Sequence, residues 1–164
     1  PYLLYYPMDR DDRPGKPVVH LSGFGLEDTH AVASSLTWGP DGWIYGAQGS
    51  TCTAKVRVEV KKEKATTDFL GQAIWRYHPT KHLFEIFAEG GGNTFGVAFD
   101  SAGRLFSGTN WGTYRGLHYV QGGYYVKGWG KHGPLTNPYA LGFFGHMPHQ
   151  GNADRLTHTF VIYD

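Results

Sequence analysis

The sequence predicts an all-β fold assembled from repeated antiparallel hairpins, and three observations lead there. The first is repetition: SLTWGPDGWIYGAQGS at 35–50 returns as FGVAFDSAGRLFSGTNW at 95–111, with Gly42 and Gly103 standing 61 residues apart. Leu36 then aligns with Val97, Trp38 with Phe99 and Tyr45 with Phe106. The second is composition. Of 164 residues 24 are Gly, 16% are aromatic and only 18% are charged, which suits tight turns between half-buried strands. The third is that no window of about eleven residues or more carries a 3.6-residue apolar period. A strand, Gly turn and strand repeated at a fixed spacing cannot bury its own face and must stack on neighbours. That unit is the inner half of a four-stranded β-propeller blade.

The elements follow in order. Residues 2–6 predict a strand, 9–16 (DRDDRPGK) a charged turn, and 18–21 a second short strand. Residues 36–38 and 43–47 form the first hairpin around Pro40-Asp41-Gly42. Within 50–71 VRVEV alternates like the edge strand of an inserted hairpin, and KKEKATTD is its solvated tip. Residues 74–77 and 83–87 make another hairpin and complete a first blade over 35–89. Residues 90–93 connect to a second blade over 95–153, whose strands are expected at 97–99, 104–107 and within 116–125. Residues 127–154 have no periodicity and read as loop, and 157–163 opens a third blade within 154–164. Two to three blades cannot close a ring, since about four is the minimum. A start on Pro1 and an end inside the strand-like run THTFVIYD also predict that the chain is a piece of a longer polypeptide, a partial propeller.

Bulk chemistry excludes several functions. The formal net charge is +1, with no electrostatic grip for nucleic acid or an anionic membrane. The apolar stretches fall far short of a membrane span, so no membrane insertion is expected. Cys52 is the single cysteine, which leaves no internal disulfide and no Cys-x-x-Cys-His haem attachment in this chain.

In a propeller, residues just before the first strand of each blade and just after its second converge at the channel mouth. Here those are His30, Ser34, Gln48, Gly49 and Ser50 from the first blade. The second supplies Asn93, Thr94, Thr109, Asn110, Trp111 and Gly112, with Tyr114, Arg115 and His118 just beyond. This rim is polar, aromatic and cationic, a lining for a small molecule. His30, two residues from Asp28, is the candidate catalytic base, since a neutral imidazole there can take a proton from a substrate hydroxyl; a loop histidine bonded to backbone is the competing reading. Asn93, Thr94, Asn110, Arg115 and Gln48 are the candidate cofactor-binding residues, and Trp111, Tyr114 and His118 the candidate substrate-binding ones. The run Gly90-Gly91-Gly92-Asn93 lacks the Lys-Ser/Thr of a phosphate loop. No metal ligands are expected: His146/His149 and His78/His82 lack a third partner at motif spacing, and Arg13 stands where a calcium loop needs oxygen.

The segments HAVASSLTWGPDGWIYGAQGS, IWRYHP, FEIFAEGGGNTFGVAFD, GRLFSGTN, RGLHYVQGGYY and KHGPLTNPYALGFF resemble the propeller domain of large secreted proteins of Planctomycetes and Verrucomicrobia, described as membrane-bound dehydrogenases or haem-binding proteins of that group. The resemblance implies a periplasmic or secreted location. It also implies helical repeats and a haem-carrying cytochrome c domain further along the same polypeptide. More distantly the chain is similar to soluble quinoprotein glucose and sorbosone dehydrogenases, six-bladed propellers that hold pyrroloquinoline quinone (PQQ), usually with calcium. In that pattern a histidine precedes Leu-x-x-Gly-Pro-Asp-Gly, and His30 precedes Leu36–Gly42 with slightly longer spacing. Of their Arg-Asn-x-Gln-Gly-Leu segment only Asn93 and Gly96 match, with Arg115 left to replace the missing arginine from the next loop. Their calcium segment corresponds to Asn110–Gly112, where the Gly-Pro pair is not preserved. What the resemblance implies is therefore PQQ-dependent oxidation of a sugar or alcohol. The alternative is a non-catalytic module whose Trp111, Tyr114 and Tyr119 stack on a glycan or meet a partner domain.

Overall fold

The computed structural model describes residues 1–49, 51–61, 63–94, 96–108, 116–127, 141–145, 147 and 161–163. All regular structure among them is β-strand. In chain order the strands are β1 (Leu3–Tyr5), β2 (Val18–Phe24), β3 (Ser34–Trp38), β4 (Ile44–Gln48), β5 (Thr53–Val58) and β6 (Thr66–Leu70). There follow β7 (Ala73–His78), β8 (Leu83–Gly91), β9 (Ala98–Phe99), β10 (Leu105–Gly108), β11 (Gly116–Tyr119), β12 (Gly123–Lys127) and β13 (Gly142–Phe144). They form three sheets, ordered β1-β2-β5-β6, β11-β10-β9 and β13-β12-β8-β7-β4-β3.

The repeat visible in sequence is a repeat in geometry. In the first hairpin the Gly39 amide donates to the Trp43 carbonyl at 2.8 Å and the Gly42 amide to that of Gly39 at 3.2 Å. In the second, the Asp100 amide donates to Arg104 at 3.1 Å and Gly103 to Asp100 at 2.9 Å. Gly42 and Gly103 close these turns at φ of 79° and 76°, a region that a Cβ penalises. Trp38 pairs with Ile44 in one and Phe99 with Leu105 in the other, again in the same register. The strands β3, β4, β7 and β8 form a four-stranded antiparallel set in the segments expected for them.

One face of this central set is covered across β4, β7 and β8, the other across β7 and β8. Tyr45, Ala47, Ile74, Phe87 and Ala88 meet Val97, Leu105, Tyr119 and Tyr125 on one side. On the other, Ala73, Trp75 and Tyr77 pack with Leu21, Phe24, Ala54, Val56 and Phe69 of the first sheet. Arg76 ties down the turn end. Its guanidinium lies 4.2 Å from the centroid of Trp43, donates to Glu85 at 2.7 and 2.9 Å, and reaches Asp41 at 3.4 Å. The Tyr45 hydroxyl donates to Asp41 at 2.8 Å, and burial, opposed in part by Arg76, pushes its pKa up to about 12. Arg76→Lys should cost about 1–2 kcal/mol, because an ammonium keeps the charge but loses the planar stacking and the fork. A urea titration beside wild type reads it, and equal midpoints would remove the stacking argument.

Several expectations are corrected. β5 is not an edge strand: it lies between β2 and β6, joined to β2 through Leu21↔Val58 and Ser22↔Arg57. Gly90 and Gly91 are part of β8, not a connection. The expected loop over 127–154 contains β13, and β12 runs to Lys127. β12 adds to β8 in parallel and β13 to β12 in parallel, so the outer edge of the central set is not antiparallel. Residues 161–163 carry no strand, and 157–160 lie outside the described residues.

Candidate functional site

The end of the central set where β4 and β8 finish and β3 and β7 begin is where the candidate residues were expected. Its interior is polar. Gln48, Gln72, Glu89, Thr94 and Ser107, the buried polar residues of the described structure, all lie at this end. Gln48 and Glu89 both stand opposite Ala73 in the ladder, forming one row across β4, β7 and β8. The Gln48 amide donates to the carbonyls of Cys52 at 2.8 Å and Gly71 at 3.2 Å. Gln72 donates to the Thr94 hydroxyl, which donates to the Gly108 carbonyl at 3.4 Å. The Tyr119 hydroxyl donates to the Gly90 carbonyl at 2.8 Å, and complete burial raises its pKa. Gly90, at φ 98°, lets β12 approach: a Cβ there would collide with the Tyr125 carbonyl. The oxygens Gln48 Oε1 and Gln72 Oε1 are buried with no hydrogen-bond partner in the described structure.

Above this layer sits His30. Its Nδ1 lies 3.3 Å from Asp28 Oδ1, and its amide donates to the same oxygen at 3.1 Å. Asp28 Oδ2 accepts the Thr51 hydroxyl at 2.6 Å, and the Asp28 carbonyl lies 3.3 Å from Cys52 Sγ. The Thr51 bond first, and His30 after it, hold the Asp28 carboxyl below its ordinary value despite some desolvation. Burial raises the Cys52 thiol. The imidazole is therefore oriented from one nitrogen, and its side chain is 87% exposed. The next residue, Ala31, accepts the Gly49 amide at 2.9 Å, and the Asn93 side chain abuts Gly49 so closely that a Cβ would not fit. Ala31, the residue after His30, and Asn93 thus flank one point, the end of β4. Asn93 holds a left-handed φ of 47°.

The other candidates divide. Gln48 and Thr94 are brought to this end, yet both are sealed beneath it. His118 is half-buried, its ring stacked 4.9 Å from Phe106. Tyr119 is buried, so it presents no face for a sugar. Asn110, Trp111, Tyr114 and Arg115 lie outside the described residues, as do Ser50, Thr109 and Gly112. Sequence reasoning missed Gln72, Glu89 and Ser107. The available signal was a polar residue inside an apolar strand run, as in Phe87-Ala88-Glu89-Gly90.

A second polar cluster occupies the opposite end. The Tyr77 hydroxyl lies 2.8 Å from His20 Nδ1 and 3.1 Å from His82 Nδ1, beside an open cleft of about 160 Å³ lined by Val58, Lys61, Thr66, His82 and Phe84. Desolvation, with repulsion from His82 second, lowers His20 from its ordinary 6.5. The unfolded chain therefore binds a proton that the folded chain resists. Stability is full above about pH 6.5 and falls as the pH drops below it. Melting temperature should decline between pH 7.5 and 5, and His20→Gln should flatten that decline; an unchanged slope would remove His20 as its source.

Among the described residues, no three His, Cys, Asp or Glu side chains gather to hold a metal ion, and no helix is long and apolar enough to cross a membrane. Fold and site together define an all-β protein of repeated hairpins with a buried polar layer under a carboxylate-held histidine. A family model described as a domain of unknown function, DUF7133, matches residues 2–140, and the chain belongs to that family. No curated protein and no solved structure matches it.

Proposed function

We propose that the chain is part of a propeller whose His30 end receives a sugar or alcohol, in the manner of the quinoprotein-like dehydrogenases it resembles. The observation that carries this reading is the Asp28–His30 pair, an exposed, carboxylate-held imidazole with its other nitrogen free of that contact. A base so held is oriented to accept a hydroxyl proton. The fixed offset between hairpins supports the ring architecture, with the central set as one blade and β9–β11 as the inner part of the next.

The described residues do not by themselves fit pyrroloquinoline quinone. Gln48 and Thr94 are sealed, and the side-chain atoms that Gln48 and Gln72 leave unpaired in the described structure are acceptors, not donors. An anionic quinone needs donors or a cation, and Arg115 lies outside the described residues. The role proposed for this chain's own residues is proton removal by His30, held by Asp28.

The experiment adds PQQ and calcium to the full-length protein and follows both the quinone absorbance and dye reduction with aldoses. If Arg115 supplies the cation that the described residues lack, cofactor binding with substrate-dependent reduction is expected. Absence of both sinks the dehydrogenase reading. Retention of the protein on a glycan column without dye reduction would favour the binding-module alternative.

A further inference from the structure

The repeat contains its own record of what covers each hairpin. Phe99, on the first strand of the second hairpin, and Val97, just before that strand, are covered by the first hairpin. The Ser35 hydroxyl accepts the Val97 amide at 3.2 Å, the Thr37 hydroxyl lies 3.4 Å from the Val97 carbonyl, and the Tyr45 ring stands 5.0 Å from that of Phe99. As a result Val97 is 8% exposed and Phe99 partly buried. The equivalent residues of the first hairpin, Leu36 and Trp38, are 57% and 64% exposed. The repeat aligns these residues pairwise, and Trp38 and Phe99 share one strand register, yet their depths differ. Among the described residues the first sheet packs on Trp75, Tyr77 and Phe84 of β7 and β8, with Ala33 before β3 at its margin. Among the described residues β3 is also the last strand of its sheet.

We infer that the Leu36–Trp38 surface docks another hairpin of the same design: Ser-x-Thr on its first strand to bracket the Leu36 peptide, and an aromatic ring on its second strand to meet Trp38. This goes beyond the dehydrogenase reading and rests only on the repeat. An isolated exposed tryptophan is ordinary, but one at a position whose repeat equivalent is packed has a defined complement. The second hairpin does not itself supply that complement. At the places of Ser35, Thr37 and Tyr45 it carries Gly96, Ala98 and Phe106, a ring without the two hydroxyls.

That difference makes the test. Gly96→Ser, Ala98→Thr and Phe106→Tyr together recreate the donor face on the second hairpin, so one copy of the chain can dock on the Trp38 face of the next. Sedimentation velocity over a concentration series should show self-association at least tenfold tighter than wild type. Adding Trp38→Glu to the grafted chain should abolish the gain. Should the triple variant lose its folded circular-dichroism signature, Ala98→Thr with Phe106→Tyr retains Gly96 and gives the same test. A folded graft with no gain, or a gain that survives Trp38→Glu, overturns the inference. Wild-type partitioning onto phosphatidylcholine vesicles, lost in Trp38→Glu, would also overturn it by naming a bilayer as the occupant.

Discussion

Replacing Trp75 with alanine should cost about 3–5 kcal/mol, the largest stability loss expected of a single core substitution here. Trp75 is almost fully buried and sits where two sheets meet. Its ring lies 5.1 Å from Phe24 of the first sheet and 5.8 Å from Phe84 of the central set, and it covers Gly46, where a Cβ would strike the indole. Removing it leaves a void that rigid strands on both sides collapse into poorly. Trp75→Phe should cost far less. It keeps most of the apolar contact and discards an indole N–H that is buried without a partner in the described structure. Urea unfolding of both variants reads the contrast. A loss below about 1.5 kcal/mol for Trp75→Ala would mean that the two sheets are joined elsewhere.

How much of this was legible beforehand depends on sequence separation. The Gly turns at 42 and 103, the two hairpin registers and the strands of the central set follow from local pattern and from the repeat, and they could be read. The position of β5 could not. Its alternating VRVEV describes a half-buried strand, but its long-range pairing with β2 leaves no local mark. The same holds for β12, which skips its nearest hairpin and lies parallel to β8, a choice permitted by Gly90 at its positive φ. At the site, Ala31, the neighbour of His30, and Asn93 meet Gly49 where the repeat puts strand ends. The sealing of Gln48 and Thr94 was not legible, because burial there comes from residues scattered through the chain. Trp38 is the reverse case: the sequence equates it with Phe99, and the difference in exposure lies in what stands next to each hairpin.

If His30 is the base, His30→Ala in the full-length protein should lower kcat by roughly 10²–10⁴, the usual worth of a positioned proton acceptor. KM should move far less, since the imidazole acts on the proton in flight more than on the bound ground state. Asp28→Asn separates orientation from simple presence. The amide keeps the size of the side chain but offers the imidazole no carboxylate, so an intermediate fall in kcat is expected with His30 still in place. The geometry makes this more than a charge effect, because one carboxylate oxygen receives both the His30 amide and the approach of Nδ1, while the Thr51 hydroxyl fixes the other. Thr51→Val should therefore reproduce part of the Asp28→Asn loss through a residue that does not touch His30 in the described structure. With cofactor saturating, rates within twofold of wild type for His30→Ala would falsify the assignment, whatever the resemblance implies. A normal rate for Asp28→Asn beside a crippled His30→Ala would keep the base and discard the carboxylate as its guide.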